Sequence, residues 1–155
     1  MPLVVPERIK LLGIVAAYTA PTDTNENICA SFAVPPMGPN DALELFEHWD
    51  PVNNANVKTP RWRLSGIGGT VLTALPITSM EQWKGHRILQ NQGATNSQKI
   101  WGSTAGGGGW SSATTEIATP AVETNVATTL VLTMQKATGA DSVILVHASV
   151  RLLRA

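Results

Sequence analysis

The sequence predicts an all-β protein, an antiparallel β-sandwich of jelly-roll type, on three observations. No window of a dozen residues carries an i, i+3, i+4, i+7 apolar face free of proline or glycine, so helices lack their signature. About eight short runs alternate apolar and polar residues instead. Between them lie connections rich in Gly, Pro, Asn and Thr, the turn chemistry of many-stranded sandwiches. A closed barrel is the main alternative. The 155 residues fit one domain, large enough to bury its apolar surface without disulfides or metals, preceded by an extended arm at 1–6 whose two prolines favour an open conformation.

Along the chain, IKLLGIVAAYT (9–19) reads as a first strand with Gly13 as a bend or bulge, and PTDTNEN as a polar loop. NICASFAV yields a strand from Ile28 to Val34. It is closed by VPPMGPND, whose three prolines cannot sit inside a central strand. ALELFEHW (42–49) alternates imperfectly. Leu43, Leu45 and Trp49 share a face with Glu47, while Phe46 lies with Glu44 and His48, which suits an edge strand or one with a partner on its outer face.

In RWRLSGIGGTVLTALPI, Trp62 and Leu64 oppose Arg61 and Arg63, and Gly66, Gly68 and Gly69 break the run into two short strands or a bulged one. Gln82–Gln92 and Ser97–Trp101 follow as strands. In TTLVLTMQK, Leu130, Leu132 and Met134 form one face. In SVILVHASVRLL, Ile144, Val146, Ala148, Val150 and Leu152 alternate with Val143, Leu145, His147, Ser149 and Arg151. With ATGAD between them, these two segments are expected to pair as an antiparallel hairpin.

Eleven basic and eleven acidic residues cancel, so no global field draws nucleic acid or an anionic membrane. Charged residues make up 14% of the chain, against roughly 25% in ordinary soluble domains. So sparse a charge favours a surface partly covered by other subunits. The lone Cys29 excludes an intrachain disulfide and reads as a buried apolar residue. Arg8 and Lys10 before LLGIVAA imitate a secretory signal, but Pro6, Glu7 and Pro21 disagree with one, so the segment reads as retained structure. No run approaches the ~20 apolar residues of a membrane-spanning helix.

WGSTAGGGGW (101–110) resembles a phosphate loop only in its glycines; the Lys-Ser/Thr of a nucleotide loop is missing from the SSATTEIATP that follows. Ordering four glycines is costly, which makes Trp101 and Trp110 the expected anchors of a loop held by a partner, with Gly108 and Gly109 between them. Both tryptophans could equally cap the core. Trp62 reads as core, and Trp49 with Asp50 and Asn53 is the nearest approach to a sugar-stacking set. His48, His86 and His147 fall on three separate segments without metal-ligand spacing. Glu44 and Glu47 point to opposite faces and cannot flank a glycosidic bond. No nucleophile elbow occurs. Neither catalysis nor a cofactor or metal is expected.

The order KTPRWRLSGIGGT, QWKGHRILQNQGATNSQKIW and TTLVLTMQKATGADSVILVHASVRLL is similar to small all-β proteins encoded among the virion structural genes of tailed bacteriophages. There, a K-T-x-R-x-R strand precedes a glycine turn, an N-x-G-x-x-x-S-Q element follows, and a hairpin closes the chain. The resemblance covers residues 27–155. It implies a jelly-roll-like sandwich serving in the virion as a capsid decoration (cement) protein or as part of a fibre, tail or neck. The expected partners are further copies, in a homo-oligomer such as a trimer, and the major capsid protein. Contacts would come from the arm (Leu3, Val4, Val5, Pro6), the proline-rich loop (Pro35, Pro36) and the glycine loop with Trp101, Gly108, Gly109 and Trp110. A receptor- or glycan-binding module is the alternative.

Overall fold

The computed structural model describes residues 8–102 and 119–155, which form strands and loops without a helix. The strands are β1 (Ile9–Val15), β2 (Tyr18–Thr19), β3 (Asn27–Val34), β4 (Ala42–Pro51), β5 (Lys58–Leu64), β6 (Thr70–Ala74), β7 (Trp83–Asn91), β8 (Gln98–Gly102), β9 (Thr128–Lys136) and β10 (Val143–Leu153). One sheet runs β1-β10-β4-β7-β8, with β2 also on β10, and the other runs β3-β9-β5-β6.

Every ladder is antiparallel, and the partners nest. β5 pairs β6, β4 pairs β7, β3 pairs β9 and β1 pairs β10. This is the pattern of one long hairpin rolled over two layers, the jelly roll that the turn-rich sequence predicts. β8 lies outside the nested set, as an extra edge strand on β7.

The innermost turn of that hairpin, between β5 and β6, needs glycine. A Cβ on Gly69 would sit 1.9 Å from the Leu64 carbonyl oxygen, and Ser65 and Gly66 both adopt positive φ. The expected break at the three glycines is therefore a tight reversal. The bend expected at Gly13 is a register shift between Leu11 and Gly13 in the β1–β10 ladder.

Both sheets contribute to a single apolar cluster. Leu43, Leu45, Leu89 and Ile100 face inward from one sheet, and Leu64, Leu72, Leu130 and Leu132 from the other. Trp49, Trp62 and Trp83 are buried among them, and Phe32 packs against Trp62 at 6.0 Å between ring centroids.

Three expectations are corrected. β9 and β10 do not form a hairpin. β9 lies between β3 and β5, and β10 between β1 and β4, in opposite sheets. Alternation marks which face of a strand is buried but says nothing of whether the next strand lies beside it or across the core. The link 137–141 crosses between layers, held by the Lys136 ammonium on the carbonyls of Gly139 (2.8 Å) and Asp141 (2.9 Å).

The inward set of β10 also differs. A register shift between Leu145 and His147 inserts an extra residue, so Val143 and Leu145 face the core and Val146 is exposed. Ala148, Val150 and Leu152 follow in the expected phase. Finally, β4 is no edge strand; it runs between β10 and β7. Its carboxylates are tolerated because Glu47 meets Arg87 inside and Glu44 meets Arg151 and His86 outside.

Candidate interaction surface

The loops at one end of the sandwich are drawn together by a buried aspartate. Asp41, just before β4, accepts hydrogen bonds from the Gly38 N–H (2.8 Å), the Ala155 N–H (3.0 Å) and the Arg154 guanidinium (2.5 Å). Burial by itself would raise the Asp41 carboxyl, but these three donors outweigh it and hold the group below the usual aspartate range.

Uncharged side chains continue the clamp. Asn91 donates to the Gly38 carbonyl (2.7 Å) and to Thr124 Oγ1 (2.9 Å). Gln98 donates to Asn91 Oδ1, to the Thr95 carbonyl and to the Val122 carbonyl, and it accepts from the Val122 N–H. The Met37 N–H reaches the Thr124 carbonyl (2.8 Å) and the Gly93 N–H reaches Pro39 (2.9 Å). Residues 35–41, 92–98, 119–124 and 154–155 are thereby locked into one block.

Of the predicted contact residues, Pro35, Pro36 and Trp101 fall within the described structure. Pro36 is exposed and Pro35 half-buried, while Met37 between them and Asp41 is buried. Arg154 donates to the Pro36 carbonyl (3.0 Å), and the Arg154 N–H donates to the Arg8 carbonyl (2.7 Å). Arg154 therefore brings Arg8 beside the proline-rich loop. Pro120 accepts the Gln98 N–H (3.1 Å). Leu3, Val4, Val5, Pro6, Gly108, Gly109 and Trp110 lie outside the described residues.

Trp101 is half-buried on β8, opposite Ile88, on the outer face of the larger sheet. At the other margin of that face, β1 exposes Ile9, Leu11 and Ile14. Their partners across the ladder are Leu153, Arg151 and Ser149. Large apolar side chains on an edge strand favour pairing with another surface.

Between these margins lies a shallow depression of about 380 Å³, lined by Glu44, Phe46, His86, His147, Ser149 and Arg151. The three histidines expected to be scattered are on neighbouring strands, with His48 opposite His147 and His86 opposite Phe46. His86 Nε2 is 3.0 Å from Glu44 Oε1, Arg151 Nη1 is 3.3 Å from Glu44 Oε2, and His147 packs on Phe46 at 5.7 Å between centroids. Ser149 and His86 flank Phe46 from opposite strands. Among the described residues, no group of three His, Cys, Asp or Glu side chains could hold a metal ion.

Glu47, on the inward face of β4, is buried in the core. It accepts the Trp49 indole N–H (3.2 Å), with Arg87 3.7 Å away; Arg87 itself lies over the Trp83 ring. Burial pushes the Glu47 carboxyl up, against the pull of Arg87, Trp49 and Trp62. Gly85 makes room for it, since a Cβ there would stand 2.6 Å from Glu47 Oε1. Trp49 is wholly buried and cannot stack on a sugar with Asp50 and Asn53. Burial raises the Cys29 thiol to about 12, which keeps it protonated and unreactive.

No local pattern marks the clamp residues Asn91, Gln98 and Thr124, whose polar types suit any loop. Only the Asp41 side chain reaching back to the Gly38 N–H had a local trace, in the turn text GPND.

The strand order defines an all-β sandwich of jelly-roll topology. No protein-family model and no curated protein matches the chain. Among solved structures, the chain is similar to one in the structure of infectious bursal disease virus Gx strain, at 7% identity and a TM-score of 0.42, over 98% of this chain and 35% of that one. It is also similar to one in the VP2 subviral particle of infectious bursal disease virus, at 10% identity and a TM-score of 0.33, over 99% and 46%. The chain spans less than half the length of either. These likenesses are too distant to bear on function.

Proposed function

We propose that the chain is a non-enzymatic structural protein of a virion, one domain that oligomerises and decorates the outer capsid surface by clamping neighbouring major capsid subunits. The observation that carries this reading is convergence. The exit of the arm at Arg8, the proline-rich loop and the return leg at Pro120 all root in the block organised by Asp41, Asn91 and Gln98. Contact elements that start from this block would engage a neighbour together, so modest individual contacts would add through simultaneous binding. The low charge and the apolar outer side of β1 supply a surface suited to further copies.

Deleting residues 1–6 is expected to lower occupancy on purified particles and the temperature at which the shell opens, while unchanged occupancy would remove the arm from the reading. The solution mass of the purified chain is expected to be that of an oligomer such as a trimer. A monomer at high concentration with no neighbour in the particle would overturn the proposal.

The depression around Phe46, with His86, His147, Ser149 and Arg151 on its walls, favours a second reading, a receptor- or glycan-binding module of a fibre, tail or neck. A saccharide array decides it. Binding that Phe46→Ala abolishes supports this reading, and no binding across the array removes it.

A further inference from the structure

At the opposite end of the sandwich, Lys58 is buried at 1% exposure with its ammonium among two side chains and a backbone carbonyl from two loops. Nζ donates to the Asn54 side-chain carbonyl and to the Asn56 backbone carbonyl (3.0 Å), and lies 3.6 Å from Asp141 Oδ2. The Asn54 amide is held at both ends. Its Nδ2 donates to Asp141 Oδ1 (2.9 Å), and its Oδ1 also accepts the Asn56 N–H (3.0 Å). Asp141 Oδ2 is buried and makes no hydrogen bond.

A lysine held as a simple counter-ion would turn its ammonium to the carboxylate. Here it faces an amide carbonyl polarised by a backbone N–H, with the nitrogen of that amide resting on the carboxylate. We propose that Lys58 and Asn54 join in an intrachain isopeptide bond, with Asp141 carrying the protons.

The chemistry needs no outside reagent. The Lys58 ammonium gives a proton to Asp141 Oδ2, and the freed amine attacks Asn54 Cγ, forming the Nζ–Cγ bond. The carbonyl electrons move onto Oδ1, where the Asn56 N–H stabilises the developing charge. As the carbonyl reforms, the Cγ–Nδ2 bond breaks and Asp141 protonates the departing nitrogen. The second proton shed by Nζ returns to the carboxylate, and one ammonia leaves. Fixing amine, amide and proton carrier in one buried cluster makes the step intramolecular, and the neutral amine is the reactive form. The bond would tie the 52–57 loop to the start of β5 whether or not the chain belongs to a virion.

Intact-mass measurement of the purified chain tests it. The expected mass is below that of the sequence by one ammonia, with tryptic cleavage after Lys58 lost. A mass equal to that of the sequence overturns the proposal. Asn54 could also lose ammonia by closing on its own backbone as a succinimide, so Lys58→Arg is the control; a loss that persists in it overturns the crosslink. Asn54→Ser and Asp141→Asn, with folding checked by circular dichroism, are expected to keep the full mass. Complete crosslinking in Asp141→Asn would overturn the role given to the aspartate.

Discussion

The two ends of the sandwich are closed by clamps of opposite polarity. At the arm end, a buried carboxylate, Asp41, collects donors from residues 38, 154 and 155. At the far end, two buried lysine nitrogens collect acceptors. Lys58 takes Asn54 and the Asn56 carbonyl, and Lys136 takes the carbonyls of Gly139 and Asp141. The difference lies in what each leaves available. The lysine clamp ties loops only to one another, with Lys58 at 1% and Asp141 at 8% exposure. The aspartate clamp depends on Arg154 at 39% exposure, which also bonds the Pro36 and Arg8 carbonyls. One end is closed off from solvent, and the other is tied through a partly solvated arginine.

Lys58→Met should break the closed end most severely. It takes the Lys58 nitrogen away from Asp141, Asn54 and the Asn56 carbonyl, and any crosslink with it, at a cost of at least about 3 kcal/mol, measurable by urea unfolding. A loss no larger than that of an exposed substitution would mean that the far end is not held by this lysine.

Asp41→Ala comes next. Three donors lose their acceptor, but Arg154 is partly solvated and can turn to water, so the expected cost is about 1–2 kcal/mol. The diagnostic effect is local. Amide exchange should quicken at Gly38 and Ala155 while the 52–57 loop keeps its protection. Uniform loosening of both ends would erase the distinction drawn between them.

Neither clamp was legible in the sequence, whereas nearly every strand was. Period-two alternation is a local property, and it placed Leu43, Leu45, Leu130, Leu132 and Leu152 correctly on inward faces. What failed depended on distance in the chain. Which sheet takes β10 is decided by β1 and β4, over a hundred residues upstream at their start. The shift at Val146 is one inserted residue without a glycine to advertise it. Lys58 and Asp141 look like ordinary solvated charges until a separation of 83 positions is closed by the fold. The proline-rich loop 35–39 was readable because proline excludes itself from central strands, but its tie to residues 154 and 155 was not.

Acid sharpens the comparison by a smaller effect. Burial alone would raise both clamp aspartates, but hydrogen bonds prevail and hold each below the 3.8 of an ordinary aspartate. Each carboxylate therefore contributes stability that is complete above the unfolded-state pKa and disappears as pH falls through the lower folded-state value. The two ends should separate in salt, which screens solvated pairs more than buried ones. Near neutral pH, raising salt should speed exchange at Ala155, where Arg154 shares Asp41 with the terminal N–H, and leave the Ser79 N–H on the Asn54 carbonyl unchanged. Equal salt sensitivity at both amides would mean that the lysine clamp is as open to water as the aspartate one.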